Sequence, residues 1–130
     1  MSGYTILNLE DVEDAAPAFG MAPALEARFA REALGLERSG VSLQRLAPDA
    51  RLPFGHRHRD QEEVYVVVAG DGRVALDDDV VDLRAWDAVR VRPETMRCFE
   101  AGSAGMSLLA FGAPFTGPDD ADITPGWWAE

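Results

Sequence analysis

Lysine is absent from this sequence of 130 residues, and cysteine and histidine are scarce, with one and two copies. The 12 basic residues are therefore all arginines, and 23 acidic residues bring the net charge to −11. So acidic a chain lacks the clustered cations that neutralise phosphates, and no nucleic-acid partner is expected. The single cysteine, Cys98, excludes an intramolecular disulfide framework.

Long apolar runs are also absent. No stretch approaches the roughly 18 apolar residues of a membrane-spanning helix, so no membrane segment is expected. Residues 1–8 lack the basic start and apolar run of a secretory signal, and we therefore predict a cytoplasmic protein. Hydrophobic residues make up 47% of the chain, which at this length suits one domain, residues 1–130, with its own core.

The middle of the chain has the pattern of short β-strands. Between residues 41 and 111, apolar and polar residues alternate, and turn residues recur about every eight to twelve positions. This spacing is typical of β-sandwiches and barrels. Residues 64–68 are apolar on both faces, which predicts a central, buried strand. We therefore predict an all-β domain with its barrel core at residues 41–111.

The two ends of the chain carry weaker signals. Residues 4–9 suggest a short strand, and apolar residues on one face predict a short N-terminal helix over Leu25–Leu34. Residues 114–130 have the composition of a loop-like tail. Trp127 and Trp128 near its end are expected to pack on the barrel or on a dimer mate.

The stretch between His56 and Gly70 concentrates the residues that could carry chemistry. Both histidines of the chain, His56 and His58, lie one residue apart and share a face of a predicted strand. Glu63 begins the next strand, on the same face as Tyr65. Two imidazoles and a carboxylate that converge in one sheet are typical ligands of a transition metal.

These residues resemble the first motif of the cupins, a family of small jelly-roll barrels. That motif reads G-x5-H-x-H-x3/4-E-x6-G, and His56, His58, Glu63 and Gly70 match it, while Ala50 stands in the first glycine position. The resemblance covers the predicted barrel and implies a jelly roll in which the two histidines and the glutamate are metal ligands. Within the family, the chain looks similar to small bacterial members of unknown activity.

The second cupin motif, G-x5-P-x-G-x2-H-x3-N, is matched poorly. Alignment on Asp87 places Arg97 where the family has a histidine as its fourth ligand, and alignment on Pro93 places Cys98 there. We favour Arg97, because that alignment also turns Phe99 inward. A guanidinium keeps its proton and cannot bind a metal, whereas a thiolate would join the histidines and favour zinc.

Two arrangements of the site follow from Arg97. In the first, His56, His58 and Glu63 hold a divalent metal (Fe, Mn, Ni or Zn), and Arg97 orients an anionic group of the substrate. In the second no metal binds, Arg97 pairs with Glu63 across the barrel, and the imidazoles bind a ligand or move a proton. The sequence leaves both open.

The predicted function is the binding of a small molecule inside the barrel. Tyr65, Phe99 and Arg97 are the expected substrate contacts. With a metal, the protein would act as an oxygenase or an isomerase, and without one it would bind a small ligand; whether it is an enzyme stays open. Because an open sheet edge invites pairing, we also expect a homodimer.

Overall fold

Strands dominate residues 3–129, the part of the chain that this computed structural model describes. The regular elements are β1 (Leu25–Phe29), α1 (Arg31–Leu34), β2 (Gly40–Leu46), β3 (Phe54–His58), β4 (Glu62–Leu76), β5 (Asp79–Arg84), β6 (Ala88–Val91), β7 (Arg97–Ala113) and β8 (Ala121–Pro125). Short 3-10 turns lie at Leu9–Asp11, Pro17–Phe19 and Pro118–Asp120. The prediction of an all-β domain is confirmed.

Two long strands organise the sheet. Strands β4 and β7 have 15 and 17 residues and pair antiparallel along most of their length. Strand β7 also pairs with β2, which leads to β1, and with β3, which leads to β8; β4 pairs with β5 and β6 as well. Register shifts at residues 67–69 and 70–72 bend β4, so the sheet curls into the predicted jelly-roll barrel.

The register identifies the inner face of the sheet, because directly paired residues share a face. One row runs from Ser42 on β2 through Ala110 on β7 to Tyr65 on β4 and Val89 on β6. Inner-face side chains of the long strands form the core, each at most 2% exposed: Tyr65, Val67, Val74, Phe99 and Leu108. The site residues described below lie on this same face.

The predicted N-terminal helix is present but much shorter than expected. Only Arg31–Leu34 are helical, while Leu25–Phe29 form strand β1, on which Leu25 and Ala27 are buried. The apolar positions in this segment satisfy both a helical repeat and a two-residue strand repeat. Backbone pairing with β2 decides in favour of the strand.

Two other expectations about the chain are corrected. Residues 4–9 are not a strand, since no described strand pairs with them, Tyr4 and Ile6 are exposed, and Leu9 begins a 3-10 turn. The tail is not simply a loop, because β8 pairs with β3 and extends the sheet. Trp127 and Trp128 do pack against the barrel core, one of the two predicted locations.

No helix within residues 3–129 is long and apolar enough to cross a membrane.

Gly70 occupies a position where any side chain would collide with β7. Its φ is +74°, and a Cβ would overlap the carbonyl oxygen of Gly105. We predict that Gly70→Ala lowers the free energy of unfolding by more than about 2 kcal/mol, measured by urea denaturation. Gly20→Ala is the matched control, because Gly20 has a φ of +72° with nothing within 4 Å of a Cβ. The control should lose only about 1 kcal/mol, and equal losses in both variants would contradict a steric cause.

Candidate functional site

Three strands bring the candidate site together on the inner face of the barrel. Strand β3 carries His56 and His58 on one face, and β4 presents Glu63 near its first residue. His56 pairs in register with Arg97, the first residue of β7. The histidines and the glutamate are partly accessible, with side chains 21%, 11% and 13% exposed. Solvent therefore reaches all three side chains.

One oxygen of Glu63 is the meeting point of this cluster. Glu63 Oε1 accepts a hydrogen bond of 2.6 Å from the Tyr65 hydroxyl, and it lies 3.4 Å from His56 Nε2 and 3.3 Å from His58 Nε2. Burial raises the pKa of Glu63, but hydrogen bonds from the two histidines and the tyrosine outweigh it and hold the pKa far below its usual range. The site thus contains an ionised carboxylate.

Asp120 orients His58 from the other side of the ring. Its Oδ2 lies 3.0 Å from His58 Nδ1, and the carboxylate also accepts the backbone N–H groups of Asp60 and Gln61 at 2.8 and 3.1 Å. Two backbone donors fix the carboxylate, which in turn favours a proton on Nδ1 of the imidazole. When His58 is protonated, its Nε2–H donates to Glu63; when it is neutral with the proton on Nδ1, the Nε2 lone pair faces the ionised carboxylate, and a cation between those two atoms would replace the lost proton.

The two histidines differ in their affinity for a proton. Burial lowers the pKa of His56 below its usual value in spite of the nearby Glu63. Burial also acts on His58, but contacts with Glu63 and Asp120 outweigh it, so the pKa of His58 is raised. Protonation of His58 therefore stabilises the folded state at pH values below its unfolded pKa, and that contribution is lost as the pH rises through the folded pKa.

Arg97 lies beside the cluster and is completely buried. Its Nη2 is 3.5 Å from Glu63 Oε1 and 3.4 Å from the carbonyl oxygen of Arg92, and its Nη1 is 3.3 Å from that of His56. Cys98, the rival candidate for this position, points to the opposite side, where its Sγ contacts the carbonyl of Leu52. Burial raises the pKa of that thiol to about 11, so it stays protonated.

The donor set fits a divalent metal with three protein ligands. The ligand atoms of His56, His58 and Glu63 all lie within 4.8 Å of one another. Two atoms that are each about 2.1 Å from one ion, at angles of 90–110°, are separated by about 3.0–3.4 Å. The two nitrogen-to-oxygen distances of 3.4 and 3.3 Å meet this condition at its upper end. Arg97 is the buried cation beside this donor set, with its Nη2 3.5 Å from Glu63 Oε1.

The two aromatic residues predicted as substrate contacts are buried in the barrel core, where their rings pack against each other. Tyr65 and Phe99 are 2% and 1% exposed, and their ring centroids are 4.7 Å apart. Sequence reasoning missed Asp120, which is 62 residues away from His58 in the chain. An acidic residue before a short strand in an irregular tail gives no signal that it orients a histidine.

A family model described as "Cupin domain" matches residues 42–111, which is more than half of the chain. This match spans β2 to β7 and includes both histidines, Glu63 and Arg97. No curated protein matches the chain.

Solved structures with the same fold include proteins of different chemistry. A cupin protein from Bacteroides fragilis is 23% identical, with a TM-score of 0.73, covering 90% of this chain and 89% of that one. A variant of Streptomyces Pac13 with uridine is 17% identical, with a TM-score of 0.71, covering 95% and 91%. Oxalate decarboxylase from Bacillus subtilis is 19% identical, with a TM-score of 0.72, covering 91% of this chain and 32% of that one. Identities this low show the shared fold and nothing finer.

Replacing Asp120 should change the protonation of one histidine only. In Asp120→Asn the side-chain amide can turn an N–H toward His58 Nδ1, so we predict that the imidazole proton moves to Nε2 and that the pKa of His58 falls. Histidine ¹⁵N NMR of chelator-treated protein measures the tautomer and the titration. His56, which does not contact Asp120, is the internal control. An unchanged His58 tautomer in the variant would contradict the orienting role.

Proposed function

Because the chain belongs to the cupin family, we propose that it binds a small molecule where β3, β4 and β7 meet, and that His56, His58 and Glu63 hold a divalent transition metal there. The observation that carries the proposal is the convergence of their three ligand atoms around one point, with His58 held by Asp120. An outer carboxylate on a metal-bound histidine is a recurrent feature of metal sites.

The proposed metal would act as a Lewis acid that polarises an oxygen of the bound ligand, and its two-histidine, one-carboxylate ligand set suits Fe, Mn, Ni or Zn. The chain supplies the orientation. Asp120 directs His58 Nε2 toward the ion, and the Tyr65 hydroxyl fixes Oε1 of Glu63 through its hydrogen bond of 2.6 Å. An oxygenase or an isomerase is the reaction class that we propose for this site.

Arg97 would make the proposed site prefer an anionic ligand. The guanidinium is buried, and its nearest acidic partner, Glu63, would share its charge with the metal ion. The positive charges that remain would attract an anionic group of the ligand. Tyr65 and Phe99 would form the inner wall against which the ligand rests. The homodimer and the cytoplasmic location stay predictions.

A second function, metal-free ligand binding, is favoured by one specific observation. Arg97 Nη2 lies 3.5 Å from Glu63 Oε1, and Arg97 has no exposed surface. In this arrangement the guanidinium supplies the positive charge that a metal would otherwise supply, and the imidazoles hydrogen-bond the ligand. Metal titration separates the two functions.

Glu63 is the residue whose replacement tests the metal site most directly. We predict that chelator-treated protein binds about one Mn²⁺, Ni²⁺ or Zn²⁺ per chain in calorimetric titration and that Glu63→Gln weakens this binding by about 100-fold or more. Glu62→Gln is the matched control, because Glu62 is the preceding residue, on the opposite face, with a side chain 61% exposed. A metal content well below one per chain, with no gain on adding Fe, Mn, Ni or Zn, would contradict the metal site.

Arg97→His should strengthen metal binding. The substitution removes a cation beside the site and adds an imidazole at its fourth side, so we expect at least a tenfold gain in affinity by calorimetry. Arg97→Met removes the charge without adding a ligand and should give a smaller gain. Circular dichroism checks that both variants fold. If folded Arg97→His shows no gain, Arg97 does not stand in the position of the fourth ligand.

A further inference from the structure

The outer face of the sheet is apolar where β2, β7 and β4 run side by side, although the outer face of an antiparallel sheet normally carries polar residues. Directly paired residues share a face, so the register identifies the side chains that point outward. The partly exposed apolar ones form what we call the outer patch: Val41, Val64, Val66, Leu109 and Phe111. Phe111, between Val41 and Val64, is 41% exposed. A contiguous apolar surface of this kind indicates a site of protein contact.

A segment with the composition of a strand begins beside the outer patch. The 3-10 turn near the N-terminus lies on the outer face of β2, where Arg45 Nη2 is 3.1 Å from Glu10 Oε2. Residues 4–7, which precede this turn, read Tyr-Thr-Ile-Leu, a β-prone sequence. Tyr4 and Ile6 are 75% and 85% exposed, and within residues 3–129 the backbone of residues 4–7 makes no hydrogen bond. The segment therefore offers both apolar side chains and unpaired backbone groups to a partner.

Charge indicates which partner the outer patch fits. The chain has 23 acidic residues and a net charge of −11. Among the described residues that point outward at 41–45, 62–66 and 107–113, however, Glu62 is the only acid, and Arg90 Nη1 lies 4.0 Å from its Oε2. A second acidic copy can approach this face with little repulsion. The Glu62–Arg90 pair is self-complementary, because a two-fold axis can place the arginine of one copy opposite the glutamate of the other.

Other exposed apolar residues lack this neutral setting. Val80 and Val81 on β5 are 46% and 44% exposed. Residues 77–79 before them are all aspartates, and Asp82 follows them. A second copy would meet its own like charges at this surface, so β5 is a poor place for two acidic chains to associate.

We propose that the outer patch is the interface of a homodimer in which two copies pack sheet against sheet, with residues 4–7 of each chain lying against the other copy. One symmetric contact then buries both features that lack a partner within the chain. This contact uses the face of the sheet rather than its open edge. It also leaves the inner face free, so the inference does not depend on the proposed metal site.

Arginine substitutions on the outer patch test the interface. We expect the wild-type protein to sediment as a dimer in analytical ultracentrifugation. Phe111→Arg, and Val64→Arg on the neighbouring strand, should each weaken the dimer by about 100-fold or more, because they desolvate a cation in the contact. Val80→Arg is the matched control, because Val80 has a similar exposure of 46% on β5, and it should leave the dimer unchanged. Deletion of residues 1–7, which keeps the capping residue Asn8, should weaken the dimer by about tenfold.

Circular dichroism checks that each variant folds, and Phe111→Ala, expected to weaken the dimer by about tenfold, replaces any arginine variant that unfolds. A wild-type chain that stays monomeric up to about 100 μM would overturn the inference. A dimer that is unchanged in folded variants of Phe111 and Val64 would also overturn it, as would equal weakening by Val80→Arg. Undiminished association after the deletion would show that residues 4–7 do not contact the other copy.

Discussion

The buried carboxylate of Glu63 is the constraint on which the rest of the site depends. An ionised carboxylate inside a protein is costly unless it is paired and hydrogen-bonded. Glu63 meets this condition through partners from three strands: His56 and His58 on β3, Tyr65 on β4 and Arg97 on β7. Each partner therefore stabilises the folded barrel at the same time as it defines the site. The cluster contributes both to folding and to the chemistry of the site. For a variant at any of these positions, stability and ligand or metal binding therefore have to be measured together.

The repulsion between Arg97 and a metal ion, compared with the free energy of metal binding, decides whether both can contact Glu63. Two unit charges of the same sign about 4 Å apart repel each other by about 4 kcal/mol at an effective dielectric constant of 20, and a divalent ion doubles that figure. Structural zinc sites with a full ligand set gain about 10–16 kcal/mol. The repulsion is a large fraction of this gain but does not exceed it, and the backbone carbonyls around Arg97 offset part of the charge. We therefore expect a weak metal site, whose affinity for the ion changes on ligand binding or on a single substitution.

The sequence predicted the centre of the site and missed its surroundings. His56 and His58 were predictable because strand alternation places them on one face, the resemblance to the cupin motif added Glu63, and the long apolar run of β4 marked the central strand. The helix over residues 25–34 was mostly wrong because its apolar positions satisfy two periods, and only pairing with β2 resolves them. Asp120 could not be found, since its role arises from tertiary contact between the tail and a turn 60 residues earlier.

Strand β7 also limits the space beside Glu63 through a side chain that it lacks. Gly112 on β7 pairs with Glu63, and the side chain of Gln61 fills the inner face above it, with its Cδ 2.6 Å from where a Cβ would lie. A larger residue at position 112 would therefore displace Gln61. The backbone N–H of Gln61 donates to Asp120, the carboxylate that orients His58, so a side chain at position 112 would disturb the histidine as well. The size of residue 112 thus constrains the site as firmly as the polar residues that line it, although glycine itself contacts no ligand.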